Sequence, residues 1–178
     1  MSSSLIRKTT AFAAGSLLAA IVVLTTGCDS VDSERIPAYK VQIALNSPGL
    51  WDTYGVGGYG VHREFILATR TPSNFPFTET TFTGYGGVLL IMGMDPFGQG
   101  DVIPLAYDLA CPVECKPDIR VAVDDSSLEA VCPVCHSHYD VTMSGGAPVS
   151  GPAATGDVKY GLQRYRAYPS NGGYVIGR

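Results

Sequence analysis

Residues 111–140 read CPVECKPDIRVAVDDSSLEAVCPVCHSHYD and hold four of the chain's five cysteines. Three residues separate Cys111 from Cys115 and two separate Cys132 from Cys135. The segment between the pairs reads as a β-hairpin arm, with Asp124-Asp125 at its solvated turn. Two such knuckles on neighbouring loops bring four sulfurs to one place. Thiolates are the soft ligands that select zinc or an iron–sulfur cluster, so the pattern assigns Cys111, Cys115, Cys132 and Cys135 to a metal or cluster site. In an oxidising compartment the same four side chains could instead form disulfides.

Upstream, the chain alternates short apolar runs with turns. Gly87-Val-Leu-Leu-Ile-Met92 is the most apolar stretch after the N-terminal segment, is bounded by glycines, and reads as a central strand buried on both faces. Val102–Leu109 follows the turn at Met94–Gly100 and leads into the first knuckle. Tyr39–Leu45 alternates as a half-buried strand closed by the turn cluster Asn46-Ser47-Pro48-Gly49. Trp51–Gly60 interleaves glycines with aromatics and reads as a loop whose rings cover a core edge. Glu64–Ala68 reads as a further strand, with His62 at its end rather than in a site. Punctuation about every eight to twelve residues is the spacing of an all-β sandwich or barrel. No stretch shows a capped amphipathic helix.

The N-terminus carries an address. Arg7 and Lys8 precede the apolar run Ala11–Leu24, which is short for a membrane span and reads as a signal peptide over 1–27. Leu24-Thr25-Thr26-Gly27-Cys28 resembles the lipobox of bacterial lipoproteins, with Thr25 where leucine is usual. The resemblance implies lipid on Cys28 and a membrane as partner, with residues 28–36 as lipidated N-terminus and tether. The acidic run Asp29–Glu34 resembles the surface-export signal of some outer-membrane lipoproteins, and the resemblance implies a domain in the cell envelope, at the outer membrane or cell surface. With Cys28 used by lipid, the four remaining cysteines all lie in the knuckles. Residues 37–178 then make one β domain with metal-binding loops at 111–115 and 132–140. A net charge of −4 with scattered basic residues argues against nucleic acid as a partner.

Cys132-Pro-Val-Cys135-His136-Ser137-His138-Tyr139-Asp140 resembles the second cluster-binding loop of Rieske iron–sulfur domains, C-P-x-H-x-S-x-F/Y-D. Gly146-Ala-Pro148-Val-Ser-Gly151-Pro152-Ala153 is similar to that family's proline loop. Leu162–Tyr168 with Tyr174-Val-Ile176 resembles its closing hairpin. The resemblance implies a Rieske-like antiparallel β-sandwich with the loops at one end. It also implies a 2Fe-2S cluster and electron transfer to a redox partner protein.

Both ligand histidines of the family are replaced, by Val113 in the first loop and by Cys135 in the second. Cys115 is then the stand-in on the first loop. His138 fits a C-x-x-H register only at the expense of Pro133, Ser137 and Tyr139-Asp140, and His136 is the other substitute; both are expected beside the site. An all-cysteine cluster should have a potential nearer the roughly −400 mV of plant-type ferredoxins than the roughly −150 to +300 mV of two-histidine centres. The alternative on the same scaffold is a four-cysteine zinc site in a structural or binding module. No nucleophile motif or phosphate-binding glycine loop indicates an enzyme.

Overall fold

The computed structural model describes residues 30–98 and 100–178. The expected signal peptide and Cys28 lie outside the described residues. In chain order the elements are β1 (Ser30–Asp32), β2 (Val41–Leu45), helix α1 (Pro48–Tyr54), β3 (His62–Phe65), β4 (Phe82–Thr83), β5 (Val88–Met94) and β6 (Val102–Asp108). They continue as β7 (Ala122–Asp124), β8 (Glu129–Val131), β9 (His138–Asp140), β10 (Ala147–Ser150), a 3-10 turn at Pro152–Ala154, β11 (Val158–Tyr160), β12 (Arg164–Ser170) and β13 (Gly173–Gly177). The fold is all-β and antiparallel apart from the β1–β11 pair.

Seven strands in the order β3-β5-β6-β12-β13-β2-β4 form a sheet that curls into a nearly closed barrel. Leu67, just past β3, donates its N–H to Thr83 Oγ1 on β4, which ties the two edges together. A second sheet, β10-β9-β8-β7, lies beside the two cysteine-bearing loops.

Periodicity explains how the two sheets meet. On β2, Val41, Ile43 and Leu45 are buried while Gln42 and Ala44 face out, the alternation of a strand with one apolar face. On β5, Val88 and Leu90 pack with Ile43, Leu45, Phe65 and Ile176, whereas Leu89 and Ile91 join Leu105, Tyr107, Ala130, Tyr139 and Leu162. One strand therefore serves two cores. Only a continuous apolar run can do that, which is why Gly87–Met92 lacks alternation.

Three local readings change in the structure. The turn cluster before Trp51 is the start of α1: Ser47 Oγ accepts the Leu50 N–H at 3.3 Å and Pro48 occupies the first turn. The helix is too short for an amphipathic stripe, so only its cap chemistry marks it. Its Trp51 ring lies 4.7 Å from Tyr174, covering the barrel as the rings were expected to do. β3 begins at His62 and ends at Phe65, since a tight turn bends Ile66 back to bridge Thr71. The segment expected as a tether is bound from Ser30 onward: β1 pairs with β11, Arg35 lies over the Tyr160 ring at 3.9 Å, and Ile36 is buried.

Asp108, at the end of β6, is fully buried among these strands. Its Oδ1 accepts from Gly86 N at 2.9 Å and Ala110 N at 2.7 Å; its Oδ2 accepts from Tyr85 N at 2.8 Å and Tyr165 Oη at 2.5 Å. Burial pushes its carboxyl up from the usual range, while the Tyr165 hydroxyl and the three backbone donors pull the other way. A buried acceptor needs such partners. The loop that supplies them must be glycine: a Cβ on Gly84 would stand 2.5 Å from Tyr165 Oη, and one on Gly86 2.5 Å from Ala110 N.

Asp108→Ala leaves three backbone donors without a partner and should cost about 3–5 kcal/mol, read as a lowered denaturant midpoint. Asp140 behaves oppositely with pH. Burial raises its carboxyl, but hydrogen bonds from Ser144, Met143 and Thr142 outweigh that and hold it below the usual value. Its contribution is present above the ordinary carboxylate range and is lost as pH falls through the depressed value. Asp140→Asn should therefore melt lower than wild type at pH 7, and the gap should close in acid.

Candidate metal centre

Strand β6 delivers the chain to the first knuckle three residues beyond Asp108, and the β7–β8 hairpin carries it on to the second. Each knuckle is closed by its own backbone. Cys115 donates its N–H to the Cys111 carbonyl at 2.9 Å, and His136 donates to the Cys132 carbonyl at 3.1 Å. The base of each is pinned as well, by Cys111 N to Ile119 O and Cys132 N to Ser137 O, both at 3.0 Å.

These turns bring three thiols together. Cys111, Cys132 and Cys135 place their sulfurs within 4.8 Å of one another, and the Cys111–Cys135 separation is 3.6 Å. Cys111 and Cys132 are fully buried; Cys135 is partly exposed. Cys115, the fourth expected ligand, stands outside the trio, with its Sγ on the Pro112 carbonyl at 3.1 Å. All four are free thiols, so the disulfide reading has no counterpart among the described residues. His136 and His138 are not among the converging side chains. His138 Nδ1 instead meets Glu129 Oε2 at 2.8 Å across β8 and β9.

Two hydroxyls reach the sulfurs. Tyr139 Oη lies 3.5 Å from Cys111 Sγ, and Ser137 Oγ lies 3.2 Å from Cys135 Sγ. Burial pushes the Cys111 thiol up to about 12, with Tyr139 and the Glu114 and Val113 N–H groups acting against it. Cys135 is also pushed up by burial, but Ser137 and the neighbouring thiols of Cys132 and Cys111 bring it below the usual value. Cys135 thus ionises more readily than Cys111. The donor set suits a soft cation, because a metal removes the proton that burial otherwise holds on Cys111.

The proline loop clamps the second knuckle. Ala153 donates its N–H to Ser137 Oγ at 3.0 Å, and Pro148 pairs with Tyr139. Gly151 has φ 80° and a Cβ there would lie 2.7 Å from Ser137 Cα, so the close approach requires glycine. From the other side Tyr85 Oη donates to the Cys115 carbonyl at 3.0 Å, and Arg120 Nε donates to the Gly86 carbonyl. Ser137 and Tyr139 stood in the sequence motif, but their contacts with sulfur were not readable from it. Asp108 was missed; its one trace in the sequence is a lone carboxylate near the end of the apolar run Val102–Leu109.

The chain matches no protein-family model, and no curated protein is significantly similar to it.

Gly151→Ala should destabilise the domain by about 2–4 kcal/mol through the clash and the left-handed backbone, seen as a drop in thermal midpoint. The same substitution at Gly49, which has open space around it, should change little.

Proposed function

We propose that the chain is a metal-binding β domain held at the bacterial cell envelope by lipid on Cys28, and that Cys111, Cys132 and Cys135 hold a single zinc ion. The observation that carries this reading is the convergence of three sulfurs on one point. Zn–S bonds of about 2.3 Å in a tetrahedron set neighbouring sulfurs about 3.8 Å apart. The 3.6 Å between Cys111 and Cys135 agrees with that edge. Such an ion would tie the two knuckles together without redox chemistry, its fourth position being left to a ligand from outside the trio, and the domain would act as a binding module.

A second reading is the Rieske-like electron carrier, with a 2Fe-2S cluster on Cys111, Cys115, Cys132 and Cys135 and a redox partner protein. What supports it is the packing of the proline loop on the second knuckle, the spatial counterpart of the motif order that carries the resemblance. It needs four protein ligands, and so requires Cys115 to turn inward.

Elemental analysis of the full-length chain purified without oxygen, with its visible spectrum, separates the two. About one zinc per chain and no colour is the expected result. About two irons and two sulfides with broad charge-transfer bands would replace it with the electron carrier. Cys132→Ser should abolish metal binding and lower the melting temperature; unchanged metal content and melting would remove the centre altogether.

A further inference from the structure

The two knuckles are one turn written twice. Cys111-Pro112-Val113-Glu114-Cys115 and Cys132-Pro133-Val134-Cys135-His136 begin with the same three residues. In each, the fifth residue closes the turn onto the first carbonyl, and that fifth residue has a left-handed backbone, φ 52° at Cys115 and 56° at His136. Matched position by position, Cys111 corresponds to Cys132, Glu114 to Cys135, and Cys115 to His136. In the second knuckle the fourth position delivers a sulfur to the centre and the fifth does not join. The same backbone in the first knuckle puts Glu114 at the delivering position and Cys115 at the other, its thiol turned back on Pro112. The extra residue between Cys111 and Cys115 is thus a change of role within a conserved turn shape.

We infer that the centre is a three-thiolate site whose fourth corner, on the Glu114 side, is open to an exchangeable low-molecular-weight thiol, with Cys115 outside the site as a free thiol. This rests on the reading of Cys111, Cys132 and Cys135 as a metal site. Structural zinc sites close all four corners with protein ligands, whereas a site with three keeps one for an incoming ligand. Three thiolates make the ion soft, so an external thiolate competes well against the harder Glu114 carboxylate. Binding is by coordination: the incoming thiol loses its proton to solvent and its sulfur takes the corner.

Cobalt(II) alone is the probe, because thiolate-to-cobalt charge-transfer absorbance scales with the number of sulfurs bound. The full-length wild type and Cys115→Ser should both bind cobalt, with charge-transfer intensity the same within error, while Cys111→Ser and Cys135→Ser should not. Adding 2-mercaptoethanol to the cobalt form should raise the charge-transfer absorbance saturably by about one third, as three thiolates become four. Glu114→Cys, which makes the first knuckle match the second, should show the higher absorbance without added thiol and no further response. In the zinc-loaded protein, iodoacetamide should modify Cys115 alone among the four knuckle cysteines, mapped by peptide mass. Loss of cobalt in Cys115→Ser, protection of Cys115 by zinc, or no response to 2-mercaptoethanol would each overturn the inference while leaving the metal site standing. A wild type that takes up no cobalt overturns both, and is distinguished by failing before any variant is compared.

Discussion

The buried carboxylate of Asp108 is the constraint on which the placement of everything else depends. A carboxyl group in an apolar interior is tolerated only when its oxygens find hydrogen-bond donors. Its donors come from three separate places: the loop at Tyr85-Gly86, the strand exit at Ala110, and Tyr165 on β12. Satisfying one group therefore fixes the barrel strands relative to one another and to the chain that leaves them. Cys111 is the residue after Ala110, so the first knuckle inherits its position from this network. The glycines at 84 and 86 follow from it, since any side chain there would occupy the space of the donors and acceptor.

The second constraint is the sharing of β5 between two cores. Cys111 and Cys132 belong to the same buried cluster as Leu89, Ile91 and Tyr139. Their thiols pack as small apolar groups, continuous with the barrel wall. The cysteine cluster is accordingly an extension of the core, and Cys135 is the one member of the trio that is partly exposed.

Much of this was legible in the chain. Alternation marked β2, the unbroken apolar run marked β5 as a two-faced strand, and the Asp124 turn marked the β7–β8 hairpin. The hairpin expected over Leu162–Ile176 is present as β12–β13. What escaped has physical causes. Helix α1 is seven residues long and buries none of them fully, so periodicity had nothing to register. β1 is polar and three residues long, and exists because β11 lies beside it, a long-range fact. The division of the cysteines into three and one escaped because spacing counts residues, whereas the position within a turn decides which side chain faces inward. Asp108 escaped because its role is set by donors contributed from distant segments.

The parallel pairing of β1 with β11 has a mechanical meaning. Ser30, Val31 and Asp32 lie against Val158, Lys159 and Tyr160, and Gly161 N–H adds a bond to the Asp32 carbonyl at 2.9 Å. Tension arriving through residues ahead of Ser30 runs along this pair, so its hydrogen bonds bear the load together in shear instead of opening one after another. β11 follows the Pro152–Ala154 turn, and Ala153 holds Ser137 beside Cys135. The N-terminal strand is thus linked to the sulfur cluster by a short path, through β11, the Pro152–Ala154 turn and Ser137.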